Sequence, residues 1–349
     1  MKKRTVISLF LCIVICLSLT GCTMKRTKYS SHSFAYFDTV TTVTGYAKDQ
    51  AEFDLICEDI FESLGEYHRL FTIYHRYDGL ENLCTVNELQ NGMHRTVKVD
   101  KKIMDMLLFS KEMYRKTNGK VNIAMGSILS IWHDYRERGL DEPWAAELPP
   151  MERLQEAALH TDINHLILDE KNSTVTLADP LMTLDVGAIA KGYAVEMVAR
   201  ELEEKGVFGY VINVGGNVRT VGTKENGEKW TVGIENPDDN GEMPYLEYLY
   251  LSGESLVTSG SYQRYYTVGG NDYHHIIDPE TLMPAERYRL ISVICRDSGM
   301  GDALSTALFC MDFEEGSALV ESLDGVEAMW VFADGTKKTS DGFLVYTQK

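Results

Sequence analysis

Five short stretches bring together residue types that can do chemistry. The first is His275-Ile-Ile-Asp-Pro-Glu-Thr-Leu-Met-Pro284, which places an imidazole, a carboxylate and a hydroxyl within ten residues. An Asp-Pro step pushes the chain out of helical geometry, so a buried strand over 275–277 is expected to run into a rigid turn. Such a turn either holds polar groups at fixed angles or only packs a core histidine. The second is Asp302-Ala-Leu-Ser-Thr306. On a helix, Asp302 and Thr306 project from one face. A carboxylate and a hydroxyl so placed suit a hard cation such as Mg²⁺, although an acidic residue capping a helix start explains the same letters. The third, Asp185-Val-Gly-Ala-Ile-Ala-Lys-Gly192, reads as a strand end, a small-residue turn and a helix start. Free N–H groups at a helix start bind anions, and Lys191 adds a cation one turn in. Walker spacing is absent. Asn213-Val-Gly-Gly-Asn217 lets a backbone come close to a ligand or simply turn. Thr258-Ser-Gly-Ser-Tyr262 offers hydroxyls to phosphate oxygens, or is only a loop between strands.

The elements that must position these stretches can be read from periodicity. A strand is expected over 34–46, rich in Thr, Val and aromatics. Phe53, Ile56, Ile60, Leu64 and Tyr67 recur at helical spacing, as do Ile103, Met106, Leu107 and Met113, with Asn118-Gly119 closing the second helix. An exposed loop over 139–150 leads to a short helix over 151–159. A strand pair is expected over 165–168 and 174–177. A helix should fill 188–205, and a strand at 211–214 should end in Gly215-Gly216. Further strands are expected at 230–235, 246–251, 263–268 and 290–295. Helices at 302–311 and 314–323 and strands at 328–332 and 342–346 complete the chain. Strands and helices mix without regular alternation, which predicts an α+β fold with mixed or antiparallel sheets and packed helices.

Length and charge bound the function. The chain of 349 residues can bury one large core, and its formal net charge is −18. Removing the cations Lys2, Lys3 and Arg4 with the first 21 residues leaves −21. A surface this acidic argues against nucleic acid as a partner, and an anionic ligand must be met by local groups. The start itself reads as a targeting segment, with three basic residues, an apolar run from Val6 to Leu19, then Leu19-Thr20-Gly21-Cys22. The small residues before Cys22 resemble a bacterial lipobox, in which the cysteine carries lipid and begins the mature chain. The expected organisation is a signal peptide over 1–21, a polar tether over 22–33 and one domain over 34–349, anchored in the cell membrane by lipid and facing the extracytoplasmic side. Of seven cysteines, Cys57, Cys84, Cys295 and Cys310 remain for the body. None forms a Cys-x-x-Cys pair, so zinc is not expected, and apolar neighbours suggest buried free thiols.

Taken in order, the five stretches resemble the ApbE family of FAD:protein FMN transferases, also called flavin transferases. The likeness runs from about Phe34 to the last strand, and a lipobox is common in that family. It implies an ApbE-like, T-fold-like architecture. It also implies transfer of FMN from FAD to a threonine or serine hydroxyl of an acceptor flavoprotein, with Mg²⁺ and release of AMP. Residue by residue, Phe37, Tyr74, Lys120, Val121, Asn122, Asp185, Lys191 and Ile276 fall on FAD-contacting positions. Ala188 (through its carbonyl), Asp302 and Thr306 fall on metal-binding positions. His275 is the best candidate for the base. Acceptors implied by the family are subunits of Rnf- or Nqr-type redox pumps or other FMN-binding domains. A FAD pyrophosphatase giving FMN and AMP, or a non-catalytic flavin-binding lipoprotein, are the rival readings. Three positions depart from the family pattern. Lys120 replaces a small residue, Ser305 stands where some members have an acid, and Leu282 occupies a glycine position. Leucine resists positive φ, so this turn must change type or carry strain.

Overall fold

The computed structural model describes residues 26–88, 96–238 and 243–349. The targeting segment and Cys22 lie outside them. The chain is α+β. An eight-stranded, wholly antiparallel sheet forms the centre. Its members, in spatial order, are β1 (Thr27–Tyr36), β2 (Thr39–Ala47), β6 (Tyr210–Val214), β7 (Asn217–Val221), β10 (Ser255–Gly260), β13 (Tyr288–Cys295), β14 (Glu327–Phe332) and β15 (Lys337–Thr339). Off this sheet lie a three-stranded sheet of β3 (Thr96–Lys98), β4 (Leu166–Asp169) and β5 (Thr174–Leu177), and two hairpins. These are β8 (Trp230–Glu235) with β9 (Tyr245–Leu251), and β11 (Tyr265–Val268) with β12 (Asn271–His274).

Helices α1 (Gln50–Phe71), α2 (Leu83–Asn87) and α3 (Lys101–Lys116) precede α4 (Gly126–Asp141) and α5 (Met151–Ala158). Then come α6 (Ala190–Glu204), α7 (Ser298–Phe309) and α8 (Phe313–Glu321). The largest core joins α1, α3, α6 and α7 to the sheet, through residues such as Phe53, Leu64, Ala194, Tyr210, Leu304 and Trp330. The β8–β9 hairpin closes a second core on Leu256, Leu290 and Ile294. A third core, around Ile128, Trp132, Tyr266, Ile277 and Leu282, ties α4 and α5 to the β11–β12 hairpin.

Several expectations change at their edges. The strand expected at 34–46 is a hairpin, and residues expected in the tether already pair as β1, where Tyr29 packs on Phe53 and Tyr36 on Phe61. The hairpin turn, Phe37–Asp38, takes positive φ at both residues, 54° and 50°, the pattern that matches the twist of paired strands. Helix α4 fills a stretch to which the sequence reading gave no element, together with the first residues of the expected loop, although Ile128, Ile131, Trp132 and Tyr135 have helical spacing and are buried. Thr258-Ser-Gly lies within β10 rather than in a loop. The strand expected at 275–277 ends at His274, after which Ile277 keeps a single bridge to Pro284. The expected last strand is a 3-10 turn, Phe343–Thr347, because Phe343 turns inward while both Leu344 and Val345 face solvent. Cys57, Cys295 and Cys310 are buried free thiols, and burial pushes the first and last up to about 12.

Candidate active site

One cleft of about 480 Å³ collects most of the residues singled out in the sequence. Tyr74, Lys120, Val121, Asn122, Asp185, Ala188, Lys191, His275, Ile276, Asp302 and Thr306 all line it. Phe37 does not. Its ring packs edge-on against His68 and its N–H donates to His68 Nδ1, so its neighbours Asp38 and Thr39 face the cleft instead.

The oxygen-rich wall depends on how α6 meets α7. Helix α7 begins four residues earlier than expected and is capped by Asp297, whose carboxylate accepts from the Met300 N–H. Asp302 is therefore not a cap. It sits in the second turn, 4 % exposed, with Thr306 one turn further along the same face. Asp302 Oδ2 accepts from Gly192 N–H at 2.8 Å and lies 3.6 Å from Lys191 Nζ. Asn217, buried on β7, also lies beside this carboxylate and favours its charged form. Burial raises the Asp302 pKa, and Lys191, Gly192 and Asn217 oppose that rise. Gly192 must be glycine, because a Cβ there would enter the Ser298 carbonyl and Asp302.

The same hydrogen bond changes Ala188. In a regular helix the Gly192 N–H would bond the carbonyl four residues earlier. It goes to Asp302 instead, and no hydrogen bond among the described residues takes its place on the Ala188 carbonyl. A free carbonyl, a carboxylate and a hydroxyl then line the cleft together. These hard oxygen donors fit a Mg²⁺ ion shared with phosphate oxygens, since Mg²⁺ keeps few protein ligands. No cluster of three or more His, Cys, Asp or Glu that would favour another metal occurs among the described residues.

Asp185 closes the neighbouring turn, where its Oδ1 accepts from Gly187 N–H at 2.8 Å. Burial raises its pKa, against that hydrogen bond and the charges of His133 and Lys191. Lys191 Nζ reaches back to the Gly187 carbonyl at 3.2 Å.

Across the cleft, His275 is half-buried. Its Nδ1 lies 3.3 Å from the Arg264 carbonyl, so Nδ1 carries the proton and Nε2 is left with a lone pair. Burial, then Arg264, His274 and Lys191, lower its pKa to about 3, and the ring is neutral at pH 7. His274 serves structure. Its Nε2–H donates to the Ala285 carbonyl and its Nδ1 accepts from Ile276 N–H. The following turn is held by Asp278, whose carbonyl accepts from Leu282 N–H at 2.8 Å. Leu282 takes a φ of 62°, so of the two expected outcomes the turn carries strain. Lys120 is 8 % exposed, 2.6 Å from Glu280 and 4.0 Å from Asp278, and so it clamps this turn.

Sequence reasoning did not single out Arg264, His133, Arg136 or Asp38, which also line the cleft. Arg264 Nη2 donates to the Asp38 carbonyl and thus links the β1–β2 turn to His275. Tyr74 packs against His133, with ring centroids 5.6 Å apart, and Arg136 donates to His133 Nδ1. No pattern in the sequence marks these residues, because they come from separate elements: α4, the segment before β11 and the β1–β2 turn. Asn217 was quoted for its glycine neighbours, not for its amide.

Known proteins resemble this chain over most of its length. A FAD:protein FMN transferase of Klebsiella pneumoniae is 32 % identical over 273 residues, covering 75 % of this chain and 81 % of its own. One from Treponema pallidum is 30 % identical over 353 aligned positions, covering 97 % and 94 %. The crystal structure of an ApbE protein from Thermotoga maritima superposes with a TM-score of 0.80 at 25 % identity, covering 93 % of this chain and all of that one. The flavin transferase ApbE of Vibrio cholerae shares the fold, with a TM-score of 0.75 at 22 % identity over 92 % of this chain and 99 % of its own. Residues 37–330 match the ApbE family as a whole. With fold, cleft and sequence in agreement over that span, the chain belongs to the ApbE family.

Proposed function

We propose that this protein transfers the FMN half of FAD to a threonine or serine hydroxyl of another protein and releases AMP. The relatives above carry the name of that activity. The observation that carries the reading is the convergence of Asp302, Thr306 and the unbonded Ala188 carbonyl beside Lys191, in a cleft that His275 also lines. Oxygen donors next to a fixed ammonium suit a pyrophosphate better than an apolar ligand.

Asp302, Thr306 and the Ala188 carbonyl would hold Mg²⁺, which withdraws charge from phosphate oxygens as a P–O bond breaks. Lys191 supplies a second positive group, held between Asp302 and the Gly187 carbonyl. The acceptor oxygen bonds to the FMN phosphorus, and the bridging P–O bond breaks, with its oxygen leaving on AMP. The hydroxyl proton passes to Nε2 of His275, which is neutral and so able to take it. A pyrophosphate seated against Lys191 and Arg264 offsets two of the charges that depress His275, which makes it a better base in the complex. Tyr74, exposed at the cleft and packed against His133, offers a face for a flat ring system.

The same proposal places the protein outside the cytoplasm, held at the membrane by lipid on Cys22. Its acceptors would be extracytoplasmic flavoprotein subunits, of Rnf- or Nqr-type pumps or FMN-binding domains. No helix among the described residues is long and apolar enough to cross a membrane, so the lipid would carry the attachment.

The test incubates the body with FAD, Mg²⁺ and a candidate acceptor domain. Covalent flavin fluorescence on a denaturing gel, with AMP in equal amount, is the expected result. AMP and FMN without labelled acceptor would make the protein a FAD pyrophosphatase. Tight FAD binding with neither product would make it a carrier.

A further inference from the structure

Ser305 and Ser259 form a short hydroxyl chain whose proton order can be deduced. Ser305 is fully buried on α7, and its Oγ lies 3.0 Å from the Asp302 carbonyl, which can only accept. The single Ser305 proton is therefore used there. Ser259, on β10, has its Oγ 2.8 Å from Ser305 Oγ. With the Ser305 proton committed, the hydrogen in this second bond must come from Ser259. Ser259 lines the cleft. It thus presents lone pairs to the cleft and no donor. In that order Ser259 has no hydrogen left for phosphate oxygens and is suited to an electropositive partner.

We propose that Ser259 is a positioning residue for the metal, accepting a hydrogen bond from water on a Mg²⁺ ion held at Asp302 and Thr306, and that Ser305 fixes it in this role. The proposal rests on the metal reading above. It also accounts for serine at 305. A neutral hydroxyl here organises the outer contacts of the metal through a neighbour. Ser305 bonds back to the Asp302 carbonyl, so the direct ligand and the residue that fixes Ser259 are built on one turn of α7.

The test uses thermal unfolding of the whole extracytoplasmic chain with FAD, titrated with Mg²⁺, together with FAD affinity measured by flavin fluorescence in EDTA. Ser259→Ala is expected to raise the half-point of the Mg²⁺-dependent stabilisation about tenfold, as loss of an outer contact to a metal does, with FAD affinity in EDTA unchanged. Ser305→Ala should reproduce the shift, and the double variant should be no worse than either single one. Equal half-points in wild type and Ser259→Ala would overturn the proposal. So would a loss of FAD affinity in EDTA, which would mean that Ser259 meets a donor on the nucleotide. Additive effects of the two substitutions would overturn the proton order. Should Ser305→Ala not fold, Ser305→Cys, a poor donor of similar size, takes its place. If wild type itself shows no Mg²⁺-dependent stabilisation with FAD, the metal reading fails first, and that result is distinct from the others.

Discussion

Leu282 holds a left-handed backbone that leucine on its own avoids, at a cost of about 1–2 kcal/mol. Two things keep it there. Its side chain is 8 % exposed in the third core, worth about 1.5–3 kcal/mol, and its carbonyl accepts from Trp132 Nε1 at 3.0 Å. These opposing terms predict an unusual order of variants. Leu282→Gly loses the packing but relieves the backbone, whereas Leu282→Ala loses the packing and keeps the strain. In denaturant unfolding, Leu282→Gly should cost about 1–2 kcal/mol and Leu282→Ala about 1 kcal/mol more. The opposite order would mean that the turn relaxes when the leucine is removed. His275 gives a second prediction at this scale. Its folded pKa, about 3, lies below its ordinary 6.5, so between those values the unfolded chain binds a proton that the folded chain does not. Stability from this group is present above pH 6.5 and is lost as pH falls, by at most about 1.4 kcal/mol per pH unit. His275→Gln, which does not titrate, should therefore lose less Tm than wild type between pH 7 and pH 5. If catalysis uses the neutral ring as base, the same variant should lower transfer by about 10²–10⁴-fold while FAD still binds. Unchanged transfer would remove His275 from the base role.

At the scale of elements, the site depends on the close approach of α6 and α7. Gly192 makes that approach possible, and its N–H frees the Ala188 carbonyl by turning to Asp302. Gly192→Ala should force the helices apart, costing about 1–3 kcal/mol in stability. It should also weaken Mg²⁺-dependent stabilisation with FAD more than loss of stability alone predicts, since Asp302 and Ala188 move together. Measuring both in one titration separates the two effects. If the Mg²⁺ half-point were unchanged, the α6–α7 contact would be only structural. Much of this was legible in the letters. The helical spacing of Asp302 and Thr306, and the small residues before Lys191, point to the wall that forms. Helix starts were less legible, because Asp297 and Asp302 are both acidic and only the fold shows which one caps. The strand β10 was hidden by its own composition. Thr, Ser and Gly read as a loop, yet β13 pairs all three of them and β7 pairs the residues just before, in the centre of a sheet. Tertiary context overrode local preference there. Arg264 and His133 were illegible for a different reason, since no periodicity relates residues that meet across separate elements.

At the scale of the molecule, the formal net charge of −18 sets a problem that the cleft solves locally. FAD is an anion, and the body repels anions at long range. Lys120, Arg136, Lys191 and Arg264 nevertheless all line the one cleft. Of these, Lys120 is engaged by Glu280 and Arg136 by Glu137, and Lys191 and Arg264 are the cations that reach His275 electrostatically. A lipid on Cys22 would add a second constraint. It would leave the domain a short distance from the bilayer, because β1 begins at Thr27 and is already paired with β2. A chain of five residues spans at most about 18 Å. The proposed anchor would therefore hold the sheet edge close to the membrane, and acceptors would be met there rather than in free solution. Cys22→Ser should release the protein from the membrane fraction of a bacterial host while leaving flavin transfer by the purified body unchanged. Lengthening the segment over 22–26 with about twenty Gly/Ser residues should leave attachment intact but lower labelling of a membrane-embedded acceptor, because a flexible linker dilutes the tethered domain near the surface. Labelling that is indifferent to linker length would show that proximity to the bilayer plays no part in the choice of acceptor.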